Sequence, residues 1–492
     1  MSCQLTTDCL NEIFEYLNDK KTLHSCLLVN RLFCKISIRI LWRDIFNIKY
    51  TTAYKHIPKV SSAILSTLVA CLSNESKELL FKNGIFISTP TSKPPLFNYP
   101  KFCKVLSITR ICLIIDDVLK DIPNNSLSLG DKNFLVTNEV IKMFMTQISS
   151  LKKLTFNDDN YMIFPNEITS YFSGVIDCLT DLSELRCNLR IPSEFFYRLS
   201  KICHNLHSLT IDINFKNIEN LGFLDGLKEL ISLQNNLKFL KLSASYEGNW
   251  TNIIPTLTKH SNTLTKLHLN SDCIIDLPVS FIALFSNLKE IKFSYTSLIF
   301  GGIQFKDFEK LQNVTFPKLK YLSIPYKCTK PGYIIKFLEN NGKNLEKFYL
   351  DEVDHALNLS IVKFCPNLKK LFIILKHSEL DILRTIFISC QYLESIKVWC
   401  GTYWLKEKQV LETIANHSPK NFCKLKICHY SDSELLSEDL ESFFISWKNR
   451  PSFTLINFKC GYIGLEESEE NLEMIKKYND LGIIKKFETK YL

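Results

Sequence analysis

A recurring pattern of leucines constrains the fold of this 492-residue chain more than any other feature. The pattern has the form L-x-x-L-x-L, and Ile, Phe, Val or Cys replaces some of the leucines. Successive copies begin 23 to 31 residues apart, a spacing typical of units made of one short strand and one return segment. One such unit cannot bury its own apolar face, so consecutive units must stack. The copies begin at Leu151, Leu182, Leu206, Leu237, Leu264, Leu288, Leu319, Leu345, Leu368, Leu393, Phe422 and Phe453.

Each copy predicts a strand, because successive residues of a strand point to opposite faces and the last two leucines then share one face. Helix-like stretches lie between copies, for example from Asn220 to Leu233. The pattern resembles the leucine-rich repeats, which implies an α/β horseshoe solenoid. A degenerate first copy is visible at Cys103, Leu106 and Ile108.

Three copies carry a Cys three residues before their first Leu, at Cys203, Cys365 and Cys390. This placement resembles the cysteine-containing leucine-rich repeats that often accompany F-boxes. Simple packing explains these thiols equally well, since Cys inside a protein behaves as a small hydrophobic residue.

The first 42 residues predict three short helices. Apolar residues at Leu10, Ile13, Phe14 and Leu17 have the i, i+3, i+4, i+7 spacing of one helix face, with Thr7 and Asp8 as candidate N-caps. Two further stripes follow, and the run ends at Trp42. Three helices this short cannot bury so much apolar surface among themselves, so we expect a partner surface.

The order of these residues resembles an F-box, the adaptor-binding module of cullin-type ubiquitin ligases. Thr6 stands where the family usually has Pro, which would have fixed φ, and Phe33 stands where Trp is common. Packing of the helices against the following domain is the alternative interpretation. The resemblance implies an adaptor interface at Leu5, Leu10, Ile13, Phe14, Leu17, Leu23, Leu27, Val29, Phe33, Leu41 and Trp42.

Four segments follow from these patterns: an F-box at 1–48, a helical linker at 49–100, a leucine-rich-repeat solenoid at 101–465, and a capping helix with tail at 466–492. Within the linker, residues 59–83 predict one or two amphipathic helices that Gly84 could terminate in a left-handed conformation. Residues 88–100 contain four prolines and predict an exposed loop.

The third and fifth positions of each copy should point away from the core and line the concave face. Ten of these 24 positions are Lys or Arg, although only 60 of the 492 residues are basic. Such a strip could attract an acidic or phosphorylated segment of a target protein, or it could be an ordinary solvated face. The candidate target-binding residues are Lys241, Lys292, Tyr321, Lys347, Tyr349, Lys370, Phe372, Lys397 and Trp399.

Composition and the absence of motifs narrow the function further. The formal net charge of +9 is dispersed, and no nucleic-acid-binding motif is visible. No apolar run reaches the roughly 18 residues of a membrane helix, and no secretory signal is visible. We therefore expect a cytoplasmic or nuclear protein whose 18 cysteines are thiols.

Catalytic and cofactor motifs are missing from the sequence. Neither a phosphate-binding Gly loop nor H-E-x-x-H occurs, and no cysteine is paired with a base. His417, Cys423, Cys428 and His429 are metal-type ligands, but their spacing matches no zinc motif. We predict no cofactor.

The combined patterns resemble an F-box protein with leucine-rich repeats. The resemblance implies a non-catalytic subunit of a Skp–cullin–F-box (SCF) ubiquitin ligase, which binds a Skp-family adaptor, and through it a cullin, and holds a target protein. Two alternatives remain: a repeat scaffold that acts without a ligase, and an enzyme with an unrecognised site.

Overall fold

The computed structural model describes residues 5–17, 19–46, 57–90, 94–121, 127–156, 177–189, 191–213, 222–245, 248–271, 277–295, 305, 307–459 and 461–491. The chain forms two compact units, Met1–Leu237 and Lys238–Leu492. The predicted boundary at residues 48–49 lies outside the described residues.

The first unit is mainly helical and contains four parallel strands that pair in chain order. Its helices are α1 (Thr7–Glu15), α2 (Lys20–Cys26), α3 (Arg31–Arg43), α4 (Ile57–Ala70), α5 (Asn74–Lys82), α6 (Ile108–Leu119), α7 (Leu129–Gln147), α8 (Ser193–Ser200) and α9 (Gly222–Ser232). Its strands are β1 (Val105–Ser107), β2 (Lys153–Thr155), β3 (Glu184–Asn188) and β4 (Ser208–Ile213).

The second unit contains ten parallel strands, again paired in chain order, with helical or 3-10 returns between them. The strands are β5 (Phe239–Ala244), β6 (Lys266–Ser271), β7 (Glu290–Tyr295), β8 (Tyr321–Ile324), β9 (Lys347–Leu350), β10 (Lys370–Ile373), β11 (Ser395–Cys400), β12 (Lys424–His429), β13 (Phe453–Lys459) and β14 (Ile484–Tyr491). The helices are α10 (Ile254–Leu257), α11 (Pro331–Asn341), α12 (His355–Phe364), α13 (Leu380–Ser389), α14 (Glu407–His417), α15 (Ser437–Ser446) and α16 (Glu469–Asp480).

A strand lies at each of the twelve predicted copies and at the degenerate first copy. Parallel strands need a crossover between them, and the segments between leucine motifs supply it. The register places the second leucine of successive motifs side by side and fully inside the core. In the second unit this buried row contains Leu240, Leu267, Ile291, Leu322, Phe348, Leu371, Ile396 and Leu425. The leucine-rich-repeat architecture is thereby confirmed.

Our sequence analysis assigned the twelfth copy a register that is wrong by one residue. We predicted Phe453, Ile456 and Phe458 as its core residues, but Leu455 pairs with Leu425 and Asn457 pairs with Ile427. A shift of one residue exchanges the two faces of a strand. Asn457 is fully buried at a position that holds an aliphatic residue in the neighbouring strand, and its amide donates to the Glu466 carboxylate.

The tail contains one strand more than we predicted. The predicted closing helix is present as α16, but the chain continues into β14, which pairs with β13. In this register Ile484, Phe487 and Thr489 stand beside Phe453, Leu455 and Asn457. Thr489 replaces the last leucine of the pattern, which is why the copy was not visible in the sequence.

Side-chain caps define the starts of the first three helices. The hydroxyl of Thr6 accepts a hydrogen bond from the amide of Cys9 at 3.4 Å, so Thr6 is the N-cap and not Thr7 or Asp8 as we predicted. Its φ of −62° is close to the value that Pro imposes. Asp19 and Asn30 cap α2 and α3 in the same way.

The linker contains two helices, α4 and α5, where we predicted one or two, and Gly84 follows them with a φ of +68° as expected. Throughout the described ranges, each helix is too short or too polar to cross a membrane.

Candidate binding surfaces

The third helix attaches the N-terminal segment to the rest of the first unit. The Trp42 ring lies 4.4 Å from the Tyr99 ring, and the Phe46 ring lies 5.8 Å from that of Phe144 on α7. The amide of Lys104 donates to the Arg43 carbonyl at 2.9 Å. α3 is therefore an internal element of this unit.

Ion pairs, a hydrogen bond from Arg39 to Asn11 and an aromatic contact hold the first helix against α3. Arg43 donates two hydrogen bonds to the Glu15 carboxylate, at 2.6 and 2.5 Å, and these bonds hold the pKa of Glu15 below its usual range. The Phe14 and Phe33 rings meet edge to face, with centroids 5.0 Å apart. The inner face of α1 is thus occupied within the chain.

The eleven predicted adaptor-binding residues fall into three groups by exposure. Packing within the unit accounts for the buried group, whereas the exposed group is available to another protein. The buried residues are Phe14, Leu23, Leu41 and Trp42; the half-buried ones are Leu10, Leu17, Leu27 and Phe33; the exposed ones are Leu5, Ile13 and Val29.

Two further apolar residues belong with the exposed group of Leu5, Ile13 and Val29. Leu28, which follows α2, is 89% exposed, and Tyr16 ends α1 with most of its side chain in solvent. Neither was among the predicted residues, since Leu28 lies beside the stripe of α2 and Tyr16 beside that of α1. We define the N-terminal apolar patch as Leu5, Ile13, Tyr16, Leu28 and Val29.

The second candidate surface is the strand face of the second unit, which consists of the third- and fifth-position residues of β5–β14. Strand pairing orders these residues in two rows. The first row is Phe239, Lys266, Glu290, Tyr321, Lys347, Lys370, Ser395, Lys424, Thr454 and Lys486. The second row is Lys241, His268, Lys292, Ser323, Tyr349, Phe372, Lys397, Lys426, Ile456 and Glu488.

The predicted target-binding residues lie on or beside this face, and they differ in their exposure to solvent. Lys347 and Lys370 are exposed. Phe372 is only 4% exposed, so it packs within the surface and is not accessible in the way that a target-binding residue requires. Its ring stacks on Tyr349 at 4.2 Å, and Lys397 covers it. The half-buried residues are Lys241, Lys292, Tyr321, Tyr349, Lys397 and Trp399.

Positive charge is concentrated on strands β10–β12 of the strand face. Lys370, Lys397, Lys424 and Lys426, which we call the lysine cluster, occupy three adjoining strands. Lys424 and Lys426 occupy predicted strip positions, although our candidate residues ended at Trp399. Lys490, on β14, adds a further charge that only the unpredicted strand reveals.

The structure separates the four metal-type residues near β12 by burial, since His417 and Cys423 are half-buried. His429 and Cys428 are buried, and the His429 Nδ1 lies 3.3 Å from a carboxylate oxygen of Glu407. Burial raises the pKa of Glu407 to about 7 and lowers that of His429. Within the described ranges, no three His, Cys, Asp or Glu side chains are grouped so that they could hold a metal ion.

The repeat cysteines are packing residues as well. Cys203, Cys365 and Cys390 are fully buried, and the Cys390 thiol contacts the Cys365 carbonyl at 3.3 Å. Burial raises the pKa of Cys203 to about 11 and that of Cys390 to about 12. Thiols in such surroundings are poor nucleophiles.

No family model matches the sequence, and no curated protein matches it. One similar solved structure is the leucine-rich repeat-containing protein LegL7 from Legionella pneumophila. It aligns with 66% of this chain and 96% of its own length, at 13% sequence identity and a TM-score of 0.36. Similarity at this level supports no argument about fold or function.

Proposed function

We propose that this chain is the substrate-recognition subunit of an SCF-type ubiquitin ligase. In this proposal the N-terminal apolar patch binds a Skp-family adaptor, and the strand face of the second unit holds a target protein. The observation that carries the proposal is the exposure of Leu5, Ile13 and Val29, three residues of the F-box resemblance. Ile13 lies on α1, and Leu5 and Val29 lie next to α1 and α2, whose inner faces are packed.

The energetics of the patch favour a protein partner. Burying one large aliphatic side chain is worth about 1.5–3 kcal/mol, and the patch offers four of them together with Tyr16. Where exposed apolar side chains join into one patch, they mark interaction sites in soluble proteins. The half-buried residues Leu10, Leu17 and Leu27 would complete the contact.

The proposed subunit positions its target and performs no chemistry. Its contribution would be to hold the target close to a ubiquitin-conjugating enzyme, which raises the effective concentration of the reacting groups. The cullin would be reached only through the adaptor. This role requires no cofactor, nucleic acid or membrane, and it belongs in the cytoplasm or nucleus.

Co-purification with a recombinant Skp-family adaptor tests the proposal. The Ile13→Asp variant should lose the adaptor, because a carboxylate at a buried apolar contact is costly. Ile13 is 48% exposed in the free chain, so the variant should still fold. The matched control is Ile445→Asp on α15, where Ile445 is 60% exposed. Equal recovery of adaptor with both variants would contradict the proposal.

A repeat scaffold without a ligase is the second candidate. The observation that favours it is the burial of Phe14, Leu23, Leu41 and Trp42, since these residues of the resemblance are already used inside the chain. This candidate predicts target binding by the second unit with no affinity of the wild-type chain for any adaptor.

A further inference from the structure

The lysine cluster brings four ammonium groups together on one small area of the strand face. Lys397 and Lys426 are paired neighbours on adjacent strands, where parallel strands lie about 4.8 Å apart. Lys424 precedes Lys426 by two residues on the same face of β12, a separation of about 6.6 Å. Lys370 lies in the row of Lys424, two strands away. Side chains this close can converge on one ligand.

The cluster is not neutralised by the chain. Elsewhere on the second unit lysines pair with carboxylates: Lys320 and Lys369 share Glu346, and Lys486 and Lys490 share Glu488. Among the described residues, no carboxylate oxygen lies within 4.0 Å of any of the four ammonium groups. Asp351 interacts electrostatically with Lys397 without forming an ion pair within 4.0 Å, and burial raises the pKa of its carboxyl to about 6.

Aromatic rings fix the position of the central lysine. The Lys397 ammonium lies 4.5 Å from the ring centroid of Phe458 and 4.8 Å from that of Phe372. The Tyr349 ring stacks on the Phe372 ring, and its centroid lies 5.9 Å from the Lys397 ammonium. Cation–π contacts hold a cation without cancelling its charge. Lys397 is therefore pre-positioned and still positively charged.

Mutual repulsion is visible at Lys426. Burial lowers the pKa of this ammonium, and the charges around it lower the pKa further. A bound anion would have the opposite effect and would relieve the repulsion. The contributing groups are, in decreasing order, Lys424, Lys397, Lys370 and Lys490.

We infer that Lys370, Lys397, Lys424 and Lys426 form a binding site for a phosphorylated segment of a target protein. A phosphoryl group carries close to two negative charges and three acceptor oxygens, so one group can accept from lysines of neighbouring strands, whereas a carboxylate offers one charge. The inference rests on the proposed use of the strand face for target binding and names the class of target.

Single-stranded nucleic acid fits the same surface less well. Such ligands combine backbone contacts to basic residues with bases stacked on open aromatic faces. Here Phe372 is buried between Tyr349 and Lys397, and its ring is not free to stack on a base.

Degenerate peptides with two phosphoserines two positions apart are the appropriate probe. In an extended segment these phosphoserines lie about 6.6 Å apart, which matches the spacing of Lys424 and Lys426. Binding of the labelled peptide library to the purified full chain would be followed by fluorescence anisotropy, without adaptor. The competitors are the same library without phosphate, inorganic phosphate alone, and a single-stranded RNA of equal charge.

Two variants with equal loss of charge test the location of the site. The cluster variant is Lys370→Gln, Lys397→Gln, Lys424→Gln and Lys426→Gln. The control variant replaces four exposed lysines outside the strand face by Gln: Lys363, Lys420, Lys448 and Lys476. We expect the cluster variant to bind the phosphorylated library at least ~10-fold more weakly and the control variant to bind it like the wild type.

Stability gives an independent readout of the same variants. Inorganic phosphate should raise the unfolding temperature of the wild type and the control variant, but not that of the cluster variant. Equal weakening in both variants, no phosphate-dependent binding, or tighter binding of the RNA would each overturn the inference. Adaptor binding of the cluster variant should be unchanged, so failure of this inference and failure of the ligase proposal are distinguishable.

Discussion

The Trp42 indole and the Tyr99 phenol ring pack against each other, with centroids 4.4 Å apart and planes at 39°. Trp42 ends the segment that resembles an F-box, and Tyr99 belongs to the Pro-rich loop, so this contact joins two parts of the sequence that we had predicted as separate domains. The N-terminal helices are consequently anchored by their third helix, while the outer surfaces of α1 and α2 stay exposed to solvent.

Removal of this anchor should destabilise the first unit. Trp42→Ala should lower the free energy of unfolding by about 3–5 kcal/mol, as for other buried Trp residues. Urea unfolding followed by circular dichroism would measure the change. Tyr16→Ala is the control, because Tyr16 is 79% exposed and should change the value by less than about 0.5 kcal/mol. Similar losses for both variants would contradict the packing role of Trp42.

The register of β13 is tested by Asn457→Leu. The Asn457 amide is buried and donates to Glu466, so its loss should cost about 1–3 kcal/mol. Adding Glu466→Leu should recover most of that loss, because both partners of the buried hydrogen bond are then replaced by apolar side chains. Lys459 would still have an ion pair, since its ammonium lies 2.5 Å from the Glu467 carboxylate. In the register first expected from the sequence, Asn457 would face solvent and the single variant would be neutral.

The stability of the second unit should depend on the protonation of Glu407. Burial raises the pKa of this carboxyl to about 7 from its ordinary value of 4.5. A raised pKa means that the stabilisation is fully present below pH 4.5 and is lost as pH rises through 7, by about 3 kcal/mol. The lowered pKa of His429 acts in the opposite sense, with its stabilisation fully present above the ordinary value of 6.5 and lost as pH falls through the folded pKa.

Thermal unfolding between pH 4.5 and 8 would measure this effect. Glu407→Gln keeps an oxygen that can accept from Ser433, removes the ionisation, and should be more stable than the wild type at pH 8. The control is Glu438→Gln, at an exposed position of α15, and its profile should follow the wild type. Parallel profiles for all three proteins would refute the assignment.

The sequence predicted the strands well because their periodicity is local. Two leucines in L-x-L share a face in any strand, so Leu240 and Leu242 identify β5 without knowledge of the fold. The same rule failed at β13, where Leu455 and Ile456 are adjacent apolar residues and only pairing with β12 decides which of them aligns with the core row. It also failed at β14, since Thr489 takes a leucine position.

The candidate sites were harder to predict because exposure is a tertiary property. Ile13 and Phe14 are neighbours in one apolar stripe, yet Phe14 packs on Phe33 while Ile13 faces solvent. Phe372 occupies an outward position but is covered by Tyr349 and Lys397. Neither outcome can be read from spacing alone.

Calorimetric titration of a purified Skp-family adaptor into the full chain tests the central claim most directly. We predict saturable binding of one adaptor per chain, at least tenfold weaker (~1.4 kcal/mol) when Leu28→Asp and Val29→Asp are introduced together. The absence of saturable binding to the wild-type chain, or unchanged affinity in that double variant, would contradict the account.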